Sequence, residues 1–393
     1  MVSSMATRKP QALKTMGEPE TQESLVALFS ALEDPRMDRT KAFLLEEILF
    51  LVLSAVISGV NHVAEIPRFG NAKLDWLRTV LPFKNGIPSH DTIGRVLGLL
   101  DPDALEEMFR RWMTGVASTL EGVVAIDGKT LRRAIRRGDK QAFVHMVSAF
   151  SAANGLVYGQ LKTDEKSNEI RAIPQLLKHL CLNGVVVTID AAGCQEKIVK
   201  QIVEQGGDFV IGVKANQPTL QEDIRVAFHK VDMHVGGGFR STVETEKPAH
   251  GRGEWRRCEV LSVTAALTHA EKWASVRSLI RVTSERIVKG NKTLKSRYYI
   301  CSIEPLDASR ALEMTRRHWA IENRLHWNLD VSFREDECRV YAANAAENLV
   351  VVRHIALNLL RSVKGIDGGI VSRRMQSAYN DAVREKVLCA GLN

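Results

Sequence analysis

The sequence predicts an α/β protein. A mixed sheet with helices on its faces is preceded by a helical N-terminal domain and interrupted late by a β-rich insertion. Three observations carry this reading. Apolar residues recur at helical spacing from Glu23 to Trp112. From Glu121 to Phe228 short β-branched runs alternate with amphipathic helical segments. From residue 231 to about 303 the pattern becomes two-residue alternation, set off by Gly236-Gly237-Gly238 and by Gly290-Asn291.

The elements follow in order. Residues 1–20 read as a flexible tail, and a helical domain occupies 21–118. Leu25, Leu28 and Leu32 share one face of a first helix, which Asp34-Pro35 ends. Leu44–Ile57 reads as a strongly apolar second helix. The apolar stretch Ile48–Val60 falls short of the roughly 20 residues that a membrane span needs, so a buried helix is expected. Asn61–Phe69 and Lys73–Val80 are shorter helical pieces. Pro88-Ser89-His90 turns into another helix, with Ser89 as N-cap and Thr92 three residues on. Asp101-Pro102 opens a last helix through Leu105, Met108 and Trp112. Two readings fit this domain: a DNA-binding module presenting His90, Thr92 and Arg95, or a packing domain with a solvated polar face.

Residues 119–393 read as the α/β domain. Val123–Ile126 is a strand. Phe143–Phe150 and Leu156–Leu161 form a hairpin. Glu169–Leu180 is a helix turning Ile170, Ile173, Leu176 and Leu177 inward. Gly184–Ile189 has the composition of a strand buried on both faces. Helix Gln195–Gln205, strand Asp208–Lys214 and helix Thr219–Phe228 follow. In the insertion, the runs 240–247, 254–264, 276–288 and 296–303 alternate like antiparallel strands. Ser309 is placed to cap a long helix to about Asn328. Helices resume over Tyr341–Val363 and Ser377–Leu388.

Composition narrows the partner. Of 393 residues 45% are hydrophobic and 25% charged, and the net charge is +8. Such a basic balance favours a polyanionic partner, or serves solubility alone. The six cysteines are scattered without a CxxC pair, which points away from a zinc knuckle or a disulfide framework and fits a reducing cytoplasm. No secretory signal and no membrane span are expected.

Three acids carry the chemistry. Asp127 ends Val-Val-Ala-Ile-Asp, Asp190 ends Val-Val-Val-Thr-Ile-Asp, and Glu322 lies in a late helical stretch. Two strand-end aspartates and a helical glutamate suit a site in which two metal ions about 3.5–4 Å apart drive phosphoryl transfer. The plainer alternative is that each acid is a cap or turn former, and Asp190 before Ala-Ala-Gly is well placed for that.

Basic residues crowd after the first acid: Lys129, Arg132, Arg133, Arg136, Arg137 and Lys140. Gly128-Lys129-Thr130 is not a nucleotide P-loop, because Val123 stands where its first glycine belongs. Lys214, Asn216 and Gln217 follow a strand end, within reach of the acids. His250-Gly-Arg252 is a basic loop suited to phosphate contact, or a solvated hairpin tip. Glu322, His326 and Asp330 recur every fourth residue on one helical face. His326 reads as a metal ligand or as a hydrogen-bonded neighbour of Trp327. Trp319 and Trp327 read as packing residues or as stacking surfaces for a base.

Taken together these motifs resemble a known family. Asp127-Gly-Lys-Thr-x-Arg132, Glu165-Lys-Ser-Asn-Glu-Ile170, Val187-Thr-Ile-Asp-Ala-x-x-Cys-Gln195, Lys214-x-Asn-Gln217, His250-Gly-Arg252 and His318-Trp-x-Ile-Glu-Asn-x-Leu-His-Trp327 look like those of ISAs1-type insertion-sequence transposases, including the proteins associated with H-repeats. Asp34-x-Arg36 and Ile87-Pro-Ser-His-Asp-Thr-Ile93 are similar to the helical domain that accompanies them.

The resemblance implies an RNase H-like catalytic fold and a DDE triad of Asp127, Asp190 and Glu322, binding Mg²⁺ with Mn²⁺ as a substitute. It implies double-stranded DNA with terminal inverted repeats and a target DNA as partners, a homodimer on that DNA, and contacts from Lys129, Arg132, Arg133, Lys214, Asn216, Gln217, His250, Arg252, His318 and Arg324. The related IS4-like group often places Tyr, Arg and Lys around the glutamate. Thr315, His318 and Leu329 stand there in this chain, so His318, Arg316, Arg317 or Arg324 would take the arginine's part. A nuclease of the same fold that never joins strands, and a catalytically silent DNA-binding protein, are the alternatives.

Overall fold

The computed structural model describes residues 24–116, 120, 122–135, 143–163, 169–234, 240–249, 252–263, 267–288, 291–338, 340 and 344–390. The expected tail at 1–20 lies outside them, as does His250. The described residues form two compact units, one helical and one built on a sheet.

The helical unit begins with α1 (Leu25–Ser30), α2 (Leu45–Ile57), α3 (Ile66–Ala72), α4 (Leu74–Leu77), α5 (His90–Leu99) and α6 (Pro102–Val116). Caps fix the starts: Ser24 Oγ accepts from Ala27 N–H at 3.2 Å, and Ser89 Oγ from Thr92 N–H at 3.3 Å. Every residue of α2 except Glu46 is buried, which is why its sequence is apolar all round. Each Leu, Ile or Val so buried contributes roughly 1.5–3 kcal/mol. In α5, Ile93, Val96 and Leu97 face inward, leaving His90 and Arg95 exposed and Thr92 half-buried. Both readings of this segment are compatible with that placement.

The sheet unit contains β1 (Val123–Ile135), β2 (Phe143–Ser151), β3 (Val157–Thr163), α7 (Glu169–Lys178), β4 (Val186–Ile189), α8 (Glu196–Glu204), β5 (Asp208–Val213), α9 (Pro218–Asp232), β6 (Arg240–Ala249), β7 (Arg252–Ser262), β8 (Ser278–Val288), β9 (Asn291–Cys301) and α10 (Ala308–His318). One nine-stranded sheet runs in the order β3-β2-β1-β4-β5-β9-β8-β7-β6. The pairs β1/β4 and β4/β5 are parallel, and the hairpin β2/β3 is antiparallel. This is the expected RNase H-like α/β fold with its β-rich insertion. The insertion is no separate body. It continues the sheet because β9 pairs antiparallel with β5, Val210 opposite Cys301. Helix α10 covers this junction, setting Ala308, Ala311, Leu312 and Met314 against Val186, Val210, Val260, Ile280 and Val282.

Several expectations are corrected here. Asp127 does not end its strand: β1 continues to Ile135, and only its parallel pairing with β4 stops at Ile126. Ile170 does not face inward but is 40% exposed at the start of α7. The helix expected from Ser309 to about Asn328 is capped instead by Asp307, whose Oδ1 accepts from Arg310 N–H at 2.9 Å. It also changes character at His318, giving way to π-helical turns at Ile321–His326 and Asn328–Ser332. Such wide turns sit often at functional sites.

Three more helices, α11 (Ala345–Ser362), α12 (Ile370–Tyr379) and α13 (Asp381–Leu388), complete the helical unit. Helix α11 packs on α2, α5 and α6 and is buried from Ala345 to Leu360. The single helix expected over Ser377–Leu388 is instead two, broken at Asn380, whose Oδ1 caps α13 through Ala382 N–H at 2.9 Å. Among the described residues no helix is long and apolar enough to cross a membrane.

Candidate active site

The site is assembled where the parallel core strands stop pairing. Ile126 stands opposite Ile189 in the last matched pair of β1 and β4, and the next residue on each strand is an aspartate. Adjacent strands lie about 4.8 Å apart, so Asp127 and Asp190 emerge side by side. Asp190 is also the turn former that its sequence allows: its Oδ1 accepts from Ala192 N–H at 2.8 Å. The capping and the functional readings of this residue are therefore compatible.

Glu322, in the first π-helical turn, completes a cluster of negative charge. Burial first, then the charges of Asp190, Glu322 and Glu169, push the Asp127 carboxyl up to about 7, against a Gly128 N–H that favours its anion. Glu322 is also raised, by burial first and then by Asp190, while the Arg297 guanidinium pulls it down. His326 Nδ1 lies 3.8 Å from Asp127 Oδ2. His326 thus faces the first acid, not merely its neighbour Trp327.

A second carboxylate–histidine pair lies behind the first acid. His145 Nε2 and Glu169 Oε1 are 2.6 Å apart, and Thr130 Oγ1 lies 2.8 Å from His145 Nδ1. Gly128 passes directly over them, and a Cβ there would collide with both the Glu169 carboxylate and the His145 ring. Nothing local in β2 singles out His145, because only strand pairing brings it here. Glu169 falls within the Glu165-Lys-Ser-Asn-Glu-Ile170 motif, which is the one signal that could have found it.

The expected DNA-contacting residues divide. Asn216 Nδ2 donates to Ala191 O at 2.7 Å and Gln217 Nε2 to Cys194 O at 2.8 Å, so both amides clamp the turn that follows Asp190. Lys214 is exposed beside them. His318 Nδ1 is 3.2 Å from Thr188 Oγ1. Burial pushes its pKa below the ordinary imidazole value, against the pull of Asp190, so the neutral ring is favoured. Arg324 is exposed and donates from Nη1 to Ala152 O at 2.9 Å. Lys129 lies on β1 two residues past Asp127, with Arg132 and Arg133 farther along. The side chains of Arg132, Arg133 and Arg252 lie outside the described residues.

Among the described residues, no three His, Cys, Asp or Glu side chains are arranged to hold a metal ion by themselves. The acids nevertheless fit a hard divalent cation taken up together with a substrate. Mg²⁺ is held by one or two carboxylates plus substrate phosphates rather than by an all-protein cage. Asp127, Asp190 and Glu322 offer oxygens only, and their mutual repulsion is the charge excess that a cation relieves.

Comparison with known proteins adds a second line. The family pattern described as "Transposase DDE domain" matches residues 118–359, and "DDE_Tnp_1-associated" matches residues 26–113. "Putative transposase YncI" of Escherichia coli O157:H7 is 39% identical over 94% of this chain and 95% of its own length. "H repeat-associated putative transposase YhhI" of Escherichia coli K12 is 38% identical over 91% of this chain and 96% of its own. Among solved structures, a piggyBac transposase synaptic complex with hairpin DNA aligns over 94% of this chain and 81% of its own, at 9% identity and a TM-score of 0.45.

Proposed function

The chain belongs to the DDE transposase family of H-repeat-associated, ISAs1-like insertion sequences, and from that premise we propose that it cuts and joins DNA at the ends of an insertion sequence. The observation that carries this reading is the emergence of Asp127 and Asp190 from adjacent parallel strands, with Glu322 electrostatically coupled to both.

Asp127 and Asp190 would hold two Mg²⁺ between them, and Glu322 one of the two, with Mn²⁺ able to use the same oxygens. Bound there, such ions activate an attacking oxygen and stabilise a leaving one. The rest is the work of the chain. The clamp from Asn216 and Gln217 fixes the turn that aims Asp190. The Gly128 backbone, lying on the His145–Glu169 pair, aims Asp127. A water oxygen attacks the phosphodiester at the element end, the bond from phosphorus to O3′ breaks, and the proton passes to the released 3′-hydroxyl. That hydroxyl then attacks a target phosphodiester in line, forming a new P–O3′ bond and freeing the target's own 3′-hydroxyl.

Lys129, Arg132, Arg133, Lys214, His250, Arg252 and Arg324 are proposed to hold phosphates around the acids. The neutral His318 would donate a hydrogen bond rather than a charge. The helical domain at 21–118 would read the terminal repeats, and cutting two ends together calls for two copies of the chain on DNA.

Purified protein, paired terminal-repeat duplexes and Mg²⁺ test the proposal. The wild type is expected to cleave and join. Asp127→Asn is expected to bind the ends and cut neither, and an Asp127→Asn protein with full cleavage would refute the triad. Cleavage without joining would mark a nuclease, and binding without cleavage a silent DNA-binding protein.

A further inference from the structure

The run Glu165-Lys-Ser-Asn-Glu-Ile170 is a motif that the three acids leave without a task. Glu169 and Ile170, the two described residues of it, stand the wrong way round for packing alone: Ile170 is exposed and Glu169 buried. Burying a carboxylate is costly unless it is paired or hydrogen-bonded. Glu169 is the first residue of α7, where the helix N-terminus favours its anion.

Three elements meet on this carboxylate. Thr130 comes from β1, His145 from the neighbouring strand β2, and Glu169 from α7. Thr130 Oγ1 lies 2.8 Å from His145 Nδ1, and His145 Nε2 lies 2.6 Å from Glu169 Oε1. The imidazole is thus anchored at both nitrogens. His145 and Glu169 are both buried, so water screens the carboxylate poorly.

Two paths lead from Glu169 to the first acid. One is steric. Gly128 lies against the Glu169 carboxylate and the His145 ring, with no room for a Cβ. The Gly128 N–H in turn supports the Asp127 carboxylate, so whatever fixes Gly128 fixes that donor. The other path is charge: the Glu169 anion acts on Asp127 alongside Asp190 and Glu322. Groups that orient and polarise a ligand from behind alter the affinity for a metal ion without touching it.

We infer that Glu169, kept in place by His145 and Thr130, is a positioning residue for Asp127: it fixes the Gly128 backbone and sets a negative charge behind the first acid, strengthening the hold of the site on a divalent cation without binding the ion itself. The inference rests on the proposed function for the ion but not for the geometry.

Mn²⁺ binding by the full chain at about pH 8, followed by electron paramagnetic resonance, tests it. Glu169→Gln keeps the shape of the side chain and removes its charge. It is expected to weaken Mn²⁺ binding about tenfold or more, with the number of ions bound at saturation unchanged. Its affinity for an end duplex without metal is expected to match the wild type. Its cleavage is expected to fall at limiting Mg²⁺ and to recover at saturating Mg²⁺, a rescue that a residue used for packing alone would not show. Thr130→Val frees one side of the imidazole and is expected to weaken Mn²⁺ binding in the same direction. Thr130→Ser keeps the hydroxyl and is expected to retain most of what Thr130→Val loses.

Wild-type Mn²⁺ affinity in a Glu169→Gln protein with an unaltered melting curve would overturn the inference. So would a Thr130→Ser protein as weak as Thr130→Val, and this pair decides alone if Glu169→Gln melts early. Loss of Mn²⁺ binding in Asp127→Asn beside an unchanged Glu169→Gln sinks the role of Glu169 and leaves the triad standing. Weakened Mn²⁺ binding in Glu169→Gln, in a chain whose wild type cuts no DNA, does the reverse.

Discussion

Gly128 carries an argument that no side chain could. It sits between Asp127 and the two residues that open the basic run, and its Cα faces the His145–Glu169 pair with no room for a methyl group. The Glu169 carboxylate and the His145 ring are both buried and held to each other, so neither can step aside cheaply. Gly128→Ala is therefore expected to destabilise the protein by about 1–3 kcal/mol, as overpacking does. It should lower cleavage further than that loss of stability explains, because the strain falls next to the first acid. Denaturant titration alongside a single-turnover cleavage assay measures both.

Asp127 itself makes a prediction with a definite sign. Its carboxyl rises from 3.8 to about 7 on folding, so between those values the folded state holds a proton that the unfolded chain releases. Stability without divalent ions therefore falls as pH rises through that window, and the full penalty persists above it. Asp127→Asn removes the penalty. At about pH 8 without divalent ions the variant is expected to melt several degrees above the wild type, with the difference gone near about pH 4. Melting curves across pH decide it, and a variant that melts lower at about pH 8 contradicts the cluster of acids.

At the scale of elements, helix ends show how the helical unit holds together. The last carbonyls of α5 have no partner within that helix. Asn348, buried in α11, supplies them: its Nδ2 donates to Leu97 O at 2.8 Å and to Leu100 O at 3.0 Å. Asn348→Ala leaves both acceptors buried without that donor and is expected to cost about 1–3 kcal/mol, visible in chemical denaturation. Arg374 in α12 does the same for α2. It donates to Val56 O at 2.8 Å and packs its guanidinium 4.2 Å from the Phe333 ring centre. Loss of a buried cation with such partners is costlier than loss of a surface charge.

Elements also mark where sequence reasoning stopped short. The pattern of α10 was legible because Ala311, Leu312, Met314 and Thr315 recur at helical spacing. The π-helical turns after it were not, because hydrogen-bond register leaves no mark on apolar periodicity. The length of β1 past Asp127 was hidden for a related reason: Lys129 to Arg133 read as a basic strip with no strand alternation, and only pairing in the sheet makes them strand. The break at Asn380 was readable in principle, since Asn before Asp-Ala-Val is a capping sequence.

For the whole molecule, the net charge of +8 coexists with a cluster of acids in which burial first, and then the neighbouring carboxylates, lifts Asp127. A ligand that binds the folded state alone raises its stability by mass action. Millimolar Mg²⁺ is therefore expected to raise the melting temperature of the wild type by a few degrees at about pH 8 and to leave Asp127→Asn unmoved. Equal shifts in both proteins would place the ion elsewhere.

The sequence by itself determined the α/β class, the order of strands and helices and the antiparallel insertion. Local periodicity and short motifs suffice for these, because each is written within one run of residues. Only the tertiary structure decided what those runs share. It joined the insertion to the core sheet through β5 and β9, set α11 among the N-terminal helices, placed His145 and Glu169 behind the first acid, and paired Arg257 and Arg281 with Glu259 on one face of the insertion. Each of these depends on pairing between residues far apart in the chain, and such pairing follows from how surfaces and backbone hydrogen bonds close in space, not from any local pattern.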